Sequence, residues 1–559
     1  MEHIKTFFKN HNYIFIILII SVCLLIPSIL NHGIHGDDST FHIINVLSMD
    51  KNSTFTEMPT RIRPYTANNF GYGSGIFYPE LVHITILYIY KITKLVHLTL
   101  HDSIFIFLLG LMVATGIMMR KLLYKITKDN TSSTLGAILY ITYPYLIADI
   151  YRRSAYGELI SFLALPLIFL GIYSLFYENK KTNFYLCFVL GYYLLFSSHL
   201  ISVVYVTIFT AIFLLCQGKS LWKKEKLIPL TIASIFACFL SLNYIVPIIE
   251  HKLLGTYMVF EPNYMYSRKV LIKDILKLED LLVPSSWLTT YIPAFILFLI
   301  GMMLFKRKKL KEKIDPKITN GILMICIVSI IFITCPWIWK IMPNILLTIQ
   351  FSFRNCTYLC FSSVILASFG YLVITEKHKK KVFVILLCLI LINTIFIFQN
   401  KNYTIRENTT IKENLRDGGM GWKKEYLPKK AYKNITYFEN RDSNVKLVNG
   451  KAKIKILKNQ SPNLTFQIQT SKKCTVEIPR LYYLWYKITL KTESNKKIEL
   501  NFHENQNGFI EFQIPESGTV EVKYQKTKIS EVAYLLSLLF IIGFICFLNI
   551  IRISEKEKI

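Results

Sequence analysis

The sequence predicts a polytopic α-helical membrane protein with about twelve transmembrane helices and a β-sandwich-like domain near the C-terminus. Hydrophobic residues make up 52% of the 559-residue chain, which is too apolar for a soluble protein of this length. The apolar residues are also gathered into segments about as long as a bilayer is thick. Near the C-terminus this pattern gives way to alternation of apolar and polar residues, which is typical of strands.

About twelve apolar segments are long enough to cross a membrane, at roughly 17 to 25 residues each. They lie near residues 13–30, 103–119, 132–149, 158–176, 184–198, 200–216, 228–248, 290–305, 320–335, 356–374, 382–398 and 530–551. A further apolar stretch, 78–95, is interrupted by Lys91 and Lys94. We interpret it as a helix on the outer membrane surface rather than as a span.

The formal net charge of +29 is explained by topology and does not indicate a nucleic-acid partner. The Lys and Arg residues form short runs between apolar segments: RKLLYKITK at 120, YENKK at 177, GKSLWKKEK at 218, KRKKLKEK at 306 and EKHKKK at 376. With 78–95 excluded as a span, all five runs fall on one side, which the positive-inside rule identifies as the cytoplasm. Both termini are then cytoplasmic. Residues 31–102 and 400–528 are extracytoplasmic.

Residues 400–528 are predicted to form an extracellular β domain. Alternating segments such as AKIKIL, LTFQIQ, FIEFQI and TVEVKY are separated there by polar turns, as expected for antiparallel strands. The region is large enough for a core of its own. We therefore divide the chain into a transmembrane domain (1–399), the β domain (400–528) and a final helix with a cytoplasmic tail (529–559). The eleven cysteines contain no CxxC pair, so neither a disulfide framework nor a zinc site is indicated.

The acidic pair Asp37 and Asp38 follows the first apolar helix. Carboxylates placed there can deprotonate an acceptor hydroxyl, or hold a divalent cation against a phosphate. The alternative is a solvated loop in which Asp38 caps a helix that begins at Ser39. His42 lies on the same segment and is a possible substrate-binding residue.

Three arginines on the predicted outer side run against the positive-inside rule. Arg152 and Arg153 lie in the short second outer loop together with Glu158, and Arg354 lies in QFSFRN at the start of a later span. A planar guanidinium group suits bidentate contact with phosphate. A lipid-linked phosphate is therefore a natural partner, the alternatives being interfacial snorkelling or a stop-transfer anchor.

The remaining candidates lie on other predicted outer segments. Gln350 precedes Arg354, and His199 lies at a tight turn where it either caps a helix or contacts substrate. In the first loop, Arg61 and Arg63 offer further phosphate contacts and Tyr78 can stack on a sugar ring. A plain glycine turn docked on the membrane is the alternative for that loop.

In this order and on this side of the membrane, the motifs resemble those of GT-C integral-membrane glycosyltransferases. More narrowly, HGDDSTFHI, RIRPYTANNFGYGSGIFYPEL, YRRSAYGELISFLALPLIF, SSHLIS and IQFSFRN resemble the bacterial membrane family labelled 6-pyruvoyl-tetrahydropterin-synthase-related, a label that implies no pterin chemistry. The C-terminal strands resemble the extracellular β domain of membrane proteins that glycosylate envelope polymers. One departure is Asn45, which stands where the family commonly has an arginine. Arg61 or Arg63 is the expected replacement.

The resemblance implies a bacterial cell-membrane glycosyltransferase with an outward-facing site. It would transfer a sugar from a polyprenyl-phosphate donor to a cell-envelope polymer, among membrane lipids. Asp37 or Asp38 would be the base, and Glu158 a second acid or a metal ligand. A divalent cation, if one is used, would bind at Asp37 and Asp38. The alternatives are a flippase for lipid-linked precursors and a non-catalytic envelope assembly protein.

Overall fold

The computed structural model describes residues 2–30, 33–52, 60–64, 66–261, 272, 275–283, 289–343, 350–399, 419–421 and 423–557. The helices within these ranges are α1 (Glu2–Leu30), α2 (Ser39–Asn52), α3 (Ser74–Phe77), α4 (Leu81–Thr93), α5 (Leu100–Thr127), α6 (Asn130–Ile141), α7 (Pro144–Ala148), α8 (Tyr156–Phe176), α9 (Lys181–Ser198), α10 (Leu200–Leu215), α11 (Lys224–Leu240), α12 (Leu242–Leu254), α13 (Ala294–Phe305), α14 (Arg307–Lys311), α15 (Pro316–Thr334), α16 (Pro336–Ile341), α17 (Cys356–Leu372), α18 (Glu376–Gln399), α19 (Lys429–Lys433), α20 (Ile435–Asn440) and α21 (Lys528–Lys556).

Within the described ranges, seven helices are long and apolar enough to cross a membrane. They belong to α1, α5, α8, α15, α17, α18 and α21. The pair α11 and α12, bent by 69°, makes an eighth if it is one span, and α10 and α13 are apolar but shorter. Every predicted segment contains helix, and the chain is a multi-pass membrane protein. The number twelve is not confirmed.

The predicted span 132–149 is interrupted. It consists of α6, α7 and a π-helical turn, Asp149–Arg153. The break comes at Tyr143, whose extended backbone (ψ 136°) precedes Pro144, as expected for a residue before proline. The apolar stretch 78–95 contains α4, which has 13 residues and is about 20 Å long, too short to cross a bilayer.

Prolines inside two helices leave backbone carbonyl groups without their helical hydrogen-bond donors. Side chains from elsewhere in the chain donate to these carbonyl groups instead. Pro247 in α12 has no N–H for the carbonyl of Asn243, and that oxygen accepts a hydrogen bond from Nη2 of Arg61 at 2.6 Å. Pro166 in α8 likewise releases the carbonyl of Phe162, which accepts from the hydroxyl of Tyr140 at 3.1 Å. Inside a membrane bundle such groups need a protein partner, because water is not available.

The basic runs meet at one end of the bundle, which we call the lysine-rich end. Ion pairs or hydrogen bonds join Lys125 to Glu178, Lys379 to Asp129, Lys226 to the Leu175 carbonyl, Lys309 to the Val373 carbonyl, and Glu555 to the Lys181 amide. Residues from all five predicted runs and from the last helix are therefore neighbours. This grouping is what the positive-inside rule requires of a cytoplasmic end.

Two antiparallel sheets pack at the opposite end, which we call the β-domain end. The strands are β1 (Lys446–Asn449), β2 (Ala452–Gln460), β3 (Asn463–Thr470), β4 (Cys474–Leu481), β5 (Tyr486–Thr492), β6 (Lys497–Glu499), β7 (Phe502–Glu504), β8 (Phe509–Ile514) and β9 (Gly518–Tyr524). One sheet has the order β1-β4-β8-β7 and the other β2-β3-β9-β5-β6. Trp485 at the start of the second sheet donates a hydrogen bond to Glu250 of α12 at 3.0 Å.

The sheets share their core with the first loop. Phe70, Tyr72 and Phe77 are buried in the same apolar cluster as the inward residues of both sheets. The Tyr72 hydroxyl donates to the carbonyl of Met420 at 2.7 Å, and the amide of Leu481 donates to the carbonyl of Phe70 at 3.2 Å. The β domain therefore does not have a core to itself, although its length would allow one.

Candidate active site

Two loops at the β-domain end are joined through their backbones. The amides of Asp37 and Asp38 donate to the carbonyls of Arg152 and Arg153 at 2.9 and 2.8 Å. Gly36 makes this approach possible, because a Cβ there would lie 2.7 Å from the nitrogen of Ser154 and 2.9 Å from the oxygen of Arg152. The acidic pair and the arginine pair, more than a hundred residues apart in the chain, thus form one structural unit.

Asp38 is exposed, but protein surrounds it closely. Desolvation by its surroundings raises the pKa of Asp38 to about 6, although Arg153 and Arg354 act to lower it. Asp37 and Glu158 raise it further. The side chain is therefore reachable by a ligand, and it changes protonation state in the range that a general base at neutral pH requires.

Behind Asp38 lies a group that we call the open cluster: Arg153, Arg354 and Glu158. Oε2 of Glu158 is 2.8 Å from Nη1 of Arg153 and 3.4 Å from Nε of Arg354. The other carboxylate oxygen of Glu158 accepts from the hydroxyls of Tyr145 at 3.0 Å and Thr357 at 3.4 Å. Glu158 is thus enclosed by side chains, which fits an orienting role better than the predicted one of second acid or metal ligand.

Arg153 and Arg354 differ in how many hydrogen bonds their guanidinium nitrogens donate within the protein. Nη1 of Arg153 also donates to Asp149 at 2.5 Å and to the Tyr145 hydroxyl at 3.1 Å. Nη1 of Arg354 is buried and has no hydrogen-bond partner within the described ranges. The turn that carries Arg354 is held by Asn355, whose amide donates to the Ser352 carbonyl at 2.9 Å. Arg354 therefore has donor capacity left for a ligand.

His199 and Tyr78 approach the open cluster from two further elements. Burial lowers the pKa of His199 to about 3, and the charge of Arg354 lowers it further; its Nδ1 lies 2.7 Å from the hydroxyl of Ser202. The pKa of Tyr78 is raised, first by burial and then by Asp38. A Cβ on Gly157 would lie 2.3 Å from the Tyr78 hydroxyl. Both side chains are therefore neutral neighbours of the charged groups.

His42 lies beneath this surface and is not accessible. It is 2% exposed, stacks on Tyr156 with ring centroids 4.7 Å apart, and places Nδ1 2.9 Å from Nε2 of His83. Burial lowers the pKa of His42 to about 3. In this arrangement His42 therefore does not reach the surface, and it cannot make the predicted direct contact with substrate.

Arg61 and Arg63 are bound elsewhere, in a group that we call the closed cluster: Arg61, Arg63 and Glu80. Arg63 pairs with Glu80, and its Nε donates to Asn45 at 2.7 Å. Nη1 of Arg61 donates to the Gly75 carbonyl at 2.9 Å and lies 3.8 Å from Glu80. Arg63 does contact Asn45, which stands where the family commonly has an arginine, but this hydrogen bond is buried. We therefore leave both arginines out of the proposed phosphate site.

The other predicted site residues lie at the edge. Asp37 is 38% exposed, and its Oδ1 is 4.0 Å from Nη2 of Arg152. Gln350, with φ of 70°, is half-buried at the start of the segment that leads to Arg354. The described ranges contain no group of three or more His, Cys, Asp or Glu side chains able to hold a metal ion. Asp37 and Asp38 thus gain no further metal ligand from them.

One acidic residue near the site was not predicted from the sequence. The Asp38 carboxylate is among the groups that raise the pKa of Glu425, which lies just before α19. No motif marks Glu425. The one available signal was that its segment, GMGWKKEYLP, contains an isolated acid among aromatic and basic residues.

Comparisons with known proteins identify no family. No protein-family model matches the chain. An uncharacterized protein of Lactococcus lactis subsp. cremoris (strain MG1363) is 33% identical over 131 residues, which is 22% of this chain and 20% of that protein.

Two solved structures are similar in architecture. The oligosaccharyltransferase of Archaeoglobus fulgidus in the apo form is matched over 78% of this chain and 58% of its own, with a TM-score of 0.42 and 12% identity. The archaeal oligosaccharyltransferase AglB from the same organism, in complex with an inhibitory peptide and a dolichol-phosphate, has a TM-score of 0.38 and 13% identity, with 77% and 58% covered. The chain thus spans a fifth of the curated relative and over half of each solved chain. These similarities are too weak to assign an activity.

Proposed function

We propose that this protein is a membrane glycosyltransferase that moves a sugar from a polyprenyl-phosphate-linked donor to a hydroxyl of an extracytoplasmic cell-envelope polymer. One observation carries the proposal: an accessible carboxylate, Asp38, lies beside the arginines of the open cluster at the β-domain end. Base and phosphate-binding groups are the two requirements of such a transfer, and here they share one surface.

The proposed reaction inverts the anomeric centre. Asp38 removes the proton of the acceptor hydroxyl, whose oxygen attacks the anomeric carbon of the donor sugar. The bond from that carbon to the phosphate oxygen breaks, and the electron pair leaves with the lipid phosphate. Arg354, together with Arg153, stabilises the negative charge that develops on the phosphate.

Glu158 is proposed as a positioning residue, because it contacts both arginines and is itself enclosed. It would hold the two guanidinium groups, which carry like charges, close enough to act on one phosphate. The proposal uses no step through a metal ion.

The same proposal includes the outward orientation, the polyprenyl donor and the division of the chain into 1–399, 400–528 and 529–559. They are supported by the grouping of basic runs at the lysine-rich end and by the motif resemblance to the 6-pyruvoyl-tetrahydropterin-synthase-related family. The β domain would orient the acceptor. It would not do so through Tyr483 or Trp485, which are both buried.

The test is mass spectrometry of envelope polymers from a null strain and from strains expressing wild type, Asp38→Asn or the control Asp50→Asn, at matched membrane levels. Asp50 lies on α2 and pairs with the exposed Lys94. We expect a sugar to be missing from the null and Asp38→Asn strains and present in the other two. A sugar that is lost in the null strain but retained in Asp38→Asn would instead favour a flippase or an assembly protein.

A further inference from the structure

The residues 419–421 and 423–427, which precede the first strand of the β domain, contact the first loop and α2. A Cβ on Gly419 would be 2.7 Å from Cγ2 of Ile44, six residues after Asp38. Tyr72 fixes the segment at two points: its hydroxyl donates to the Met420 carbonyl at 2.7 Å and accepts from the Tyr426 amide at 3.0 Å. The segment therefore has a defined position next to the acidic pair.

Glu425 is the acid on this segment, and its carboxylate is not fully used. The residue is half-buried, and its Oε2 is buried without a hydrogen-bond partner in the described part of the chain. Gly421, with φ of 73°, turns the chain so that its Cβ position is 3.0 Å from that oxygen. A buried acceptor that lacks a donor destabilises the protein. A ligand that supplies the donor would recover this free energy.

Burial acts most strongly on the Glu425 carboxylate, followed by a hydrogen bond from its own backbone amide, the charge of Asp38, and a backbone hydrogen bond and the charge from Lys423. Asp38 and Glu425 thus approach one region from different elements, one from the first loop and one from the segment before β1. Asp38 also interacts with Arg153, Arg354 and Glu158 of the open cluster. Asp38 therefore interacts both with the arginines and with a second carboxyl group.

We propose that Glu425 binds the acceptor, accepting a hydrogen bond from a hydroxyl or ammonium group of the incoming polymer. This inference rests on the proposed function. The donor phosphate occupies the arginine side, and an acceptor with several hydrogen-bond donors, such as a polyol or an amino sugar, occupies the side between Glu425 and Asp38. Glu425 makes the segment before β1 part of the acceptor site.

If Glu425 binds the acceptor, its ionisation should make acceptor binding depend on pH. Burial raises the pKa of Glu425 to about 7, Asp38 raises it further and Lys423 lowers it. The ionised carboxylate accepts a hydrogen bond more strongly than the acid does. Acceptor binding should therefore strengthen as the pH rises through about 7, whereas the Asp38-dependent chemical step depends on an ionisation near pH 6.

The experiment uses membranes that contain the full-length protein with their own lipid-linked sugar, and polymer extracted from the null strain as the acceptor probe. Polymer concentration is varied at pH 6 and pH 8 for wild type, Glu425→Gln, Glu425→Asp and the control Glu439→Gln. Glu439 is 49% exposed and pairs with Lys424 on the same segment. Protein levels and melting temperatures are measured in parallel.

We expect Glu425→Gln to raise the apparent KM for polymer about tenfold at pH 8, because one hydrogen bond to a charged group is lost. The kcat should be nearly unchanged. The change in KM between pH 6 and pH 8 should also disappear. Glu425→Asp should keep the pH dependence of KM. If the Glu425→Gln protein does not reach the membrane, Glu425→Asp is used in its place.

Two other outcomes overturn the inference and can be told apart. If wild-type membranes transfer sugar and Glu425→Gln has the same KM as Glu439→Gln, or loses kcat alone, Glu425 does not bind the acceptor. If wild-type membranes transfer no sugar to the null-strain polymer, the proposed function itself fails.

Discussion

The closed cluster and the open cluster are built from the same residue types but differ in access. Both pair two arginines with one buried glutamate, and Glu80 and Glu158 are 0% and 3% exposed. In the closed cluster the arginines bind Asn45, Thr60 and the carbonyls of Gly75 and Asn243. Within the described ranges, Nε of Arg61 and Nη1 of Arg354 both lack a hydrogen-bond partner, but the open cluster has an exposed carboxylate, Asp38, next to it.

This difference shows that an arginine on the outer side is not by itself a sign of ligand binding. A guanidinium group enclosed with a buried carboxylate stabilises the fold. One that lies beside an accessible carboxylate can act on a ligand. Substitutions in the two clusters should therefore separate stability from activity.

The largest effect is expected on stability, from Glu80→Gln in the closed cluster. Removal of this charge leaves Arg61 and Arg63 buried without a counter-ion, which typically costs about 3–5 kcal/mol. Thermal denaturation of the detergent-solubilised protein should show a much lower melting temperature. Asp50→Asn, which removes a pair with the 59% exposed Lys94, should change stability by less than about 1 kcal/mol. Equal melting temperatures for the two variants would refute the assignment of the closed cluster to stability.

Arg354→Gln in the open cluster should reduce sugar transfer about 100- to 1000-fold, as loss of an electrostatic stabiliser does. Its melting temperature should stay close to that of wild type, because Glu158 keeps Arg153, Tyr145 and Thr357 as partners. Transfer is measured with null-strain polymer at saturation. Arg307→Gln, at the lysine-rich end, is the matched control and should retain full activity.

The pH dependence of transfer separates the clusters further. The base must be ionised, so the wild-type rate should rise as the pH increases through about 6, the pKa of Asp38. Arg354 lowers that pKa, so the rising limb of the residual activity should move to higher pH in Arg354→Gln and stay in place in Arg354→Lys. A limb at the same pH in both variants would show that Arg354 does not act on the base.

The smallest effect is expected at Asp37. Its side chain is 38% exposed and 4.0 Å from Arg152, and such exposed pairs contribute less than about 1 kcal/mol. Asp37→Asn should therefore keep transfer within about fivefold of wild type, while Asp38→Asn lowers it at least about 100-fold. Kinetics of both variants in the same membranes make the comparison. The reverse order would identify Asp37 as the base.

Much of the architecture could be predicted from local pattern. Every apolar segment predicted as a span contains helix, charge runs grouped the lysine-rich end, and alternation located several of the strands. The break at Tyr143 and the bend between α11 and α12 were missed, since an apolar run does not show where a helix stops. The shared core was missed for a different reason: Phe70 and Tyr72 pack on strands about 400 residues later, and no local pattern records this.

The site could be predicted only in part. Asp38, Arg153 and Arg354 were marked by their types and their position, and Arg61 and Arg63 were marked equally. What separates them is whether an exposed carboxylate such as Asp38 lies beside them, which depends on tertiary contacts. Glu425 has no motif, because its relation to Asp38 arises from the path of the chain over α2. Which candidates act in catalysis stays a prediction.

The core shared by the first loop and the sheets also sets an order of events during biosynthesis. The hydroxyl of Tyr72 bonds to a carbonyl 348 residues later in the chain. At roughly 5–20 residues per second, the ribosome needs about 20 to 70 s to make that stretch. Throughout that interval Phe70, Tyr72 and Phe77 have no partner strands. The first loop therefore exposes apolar side chains during that interval, and a chaperone that covers it would prevent premature contacts.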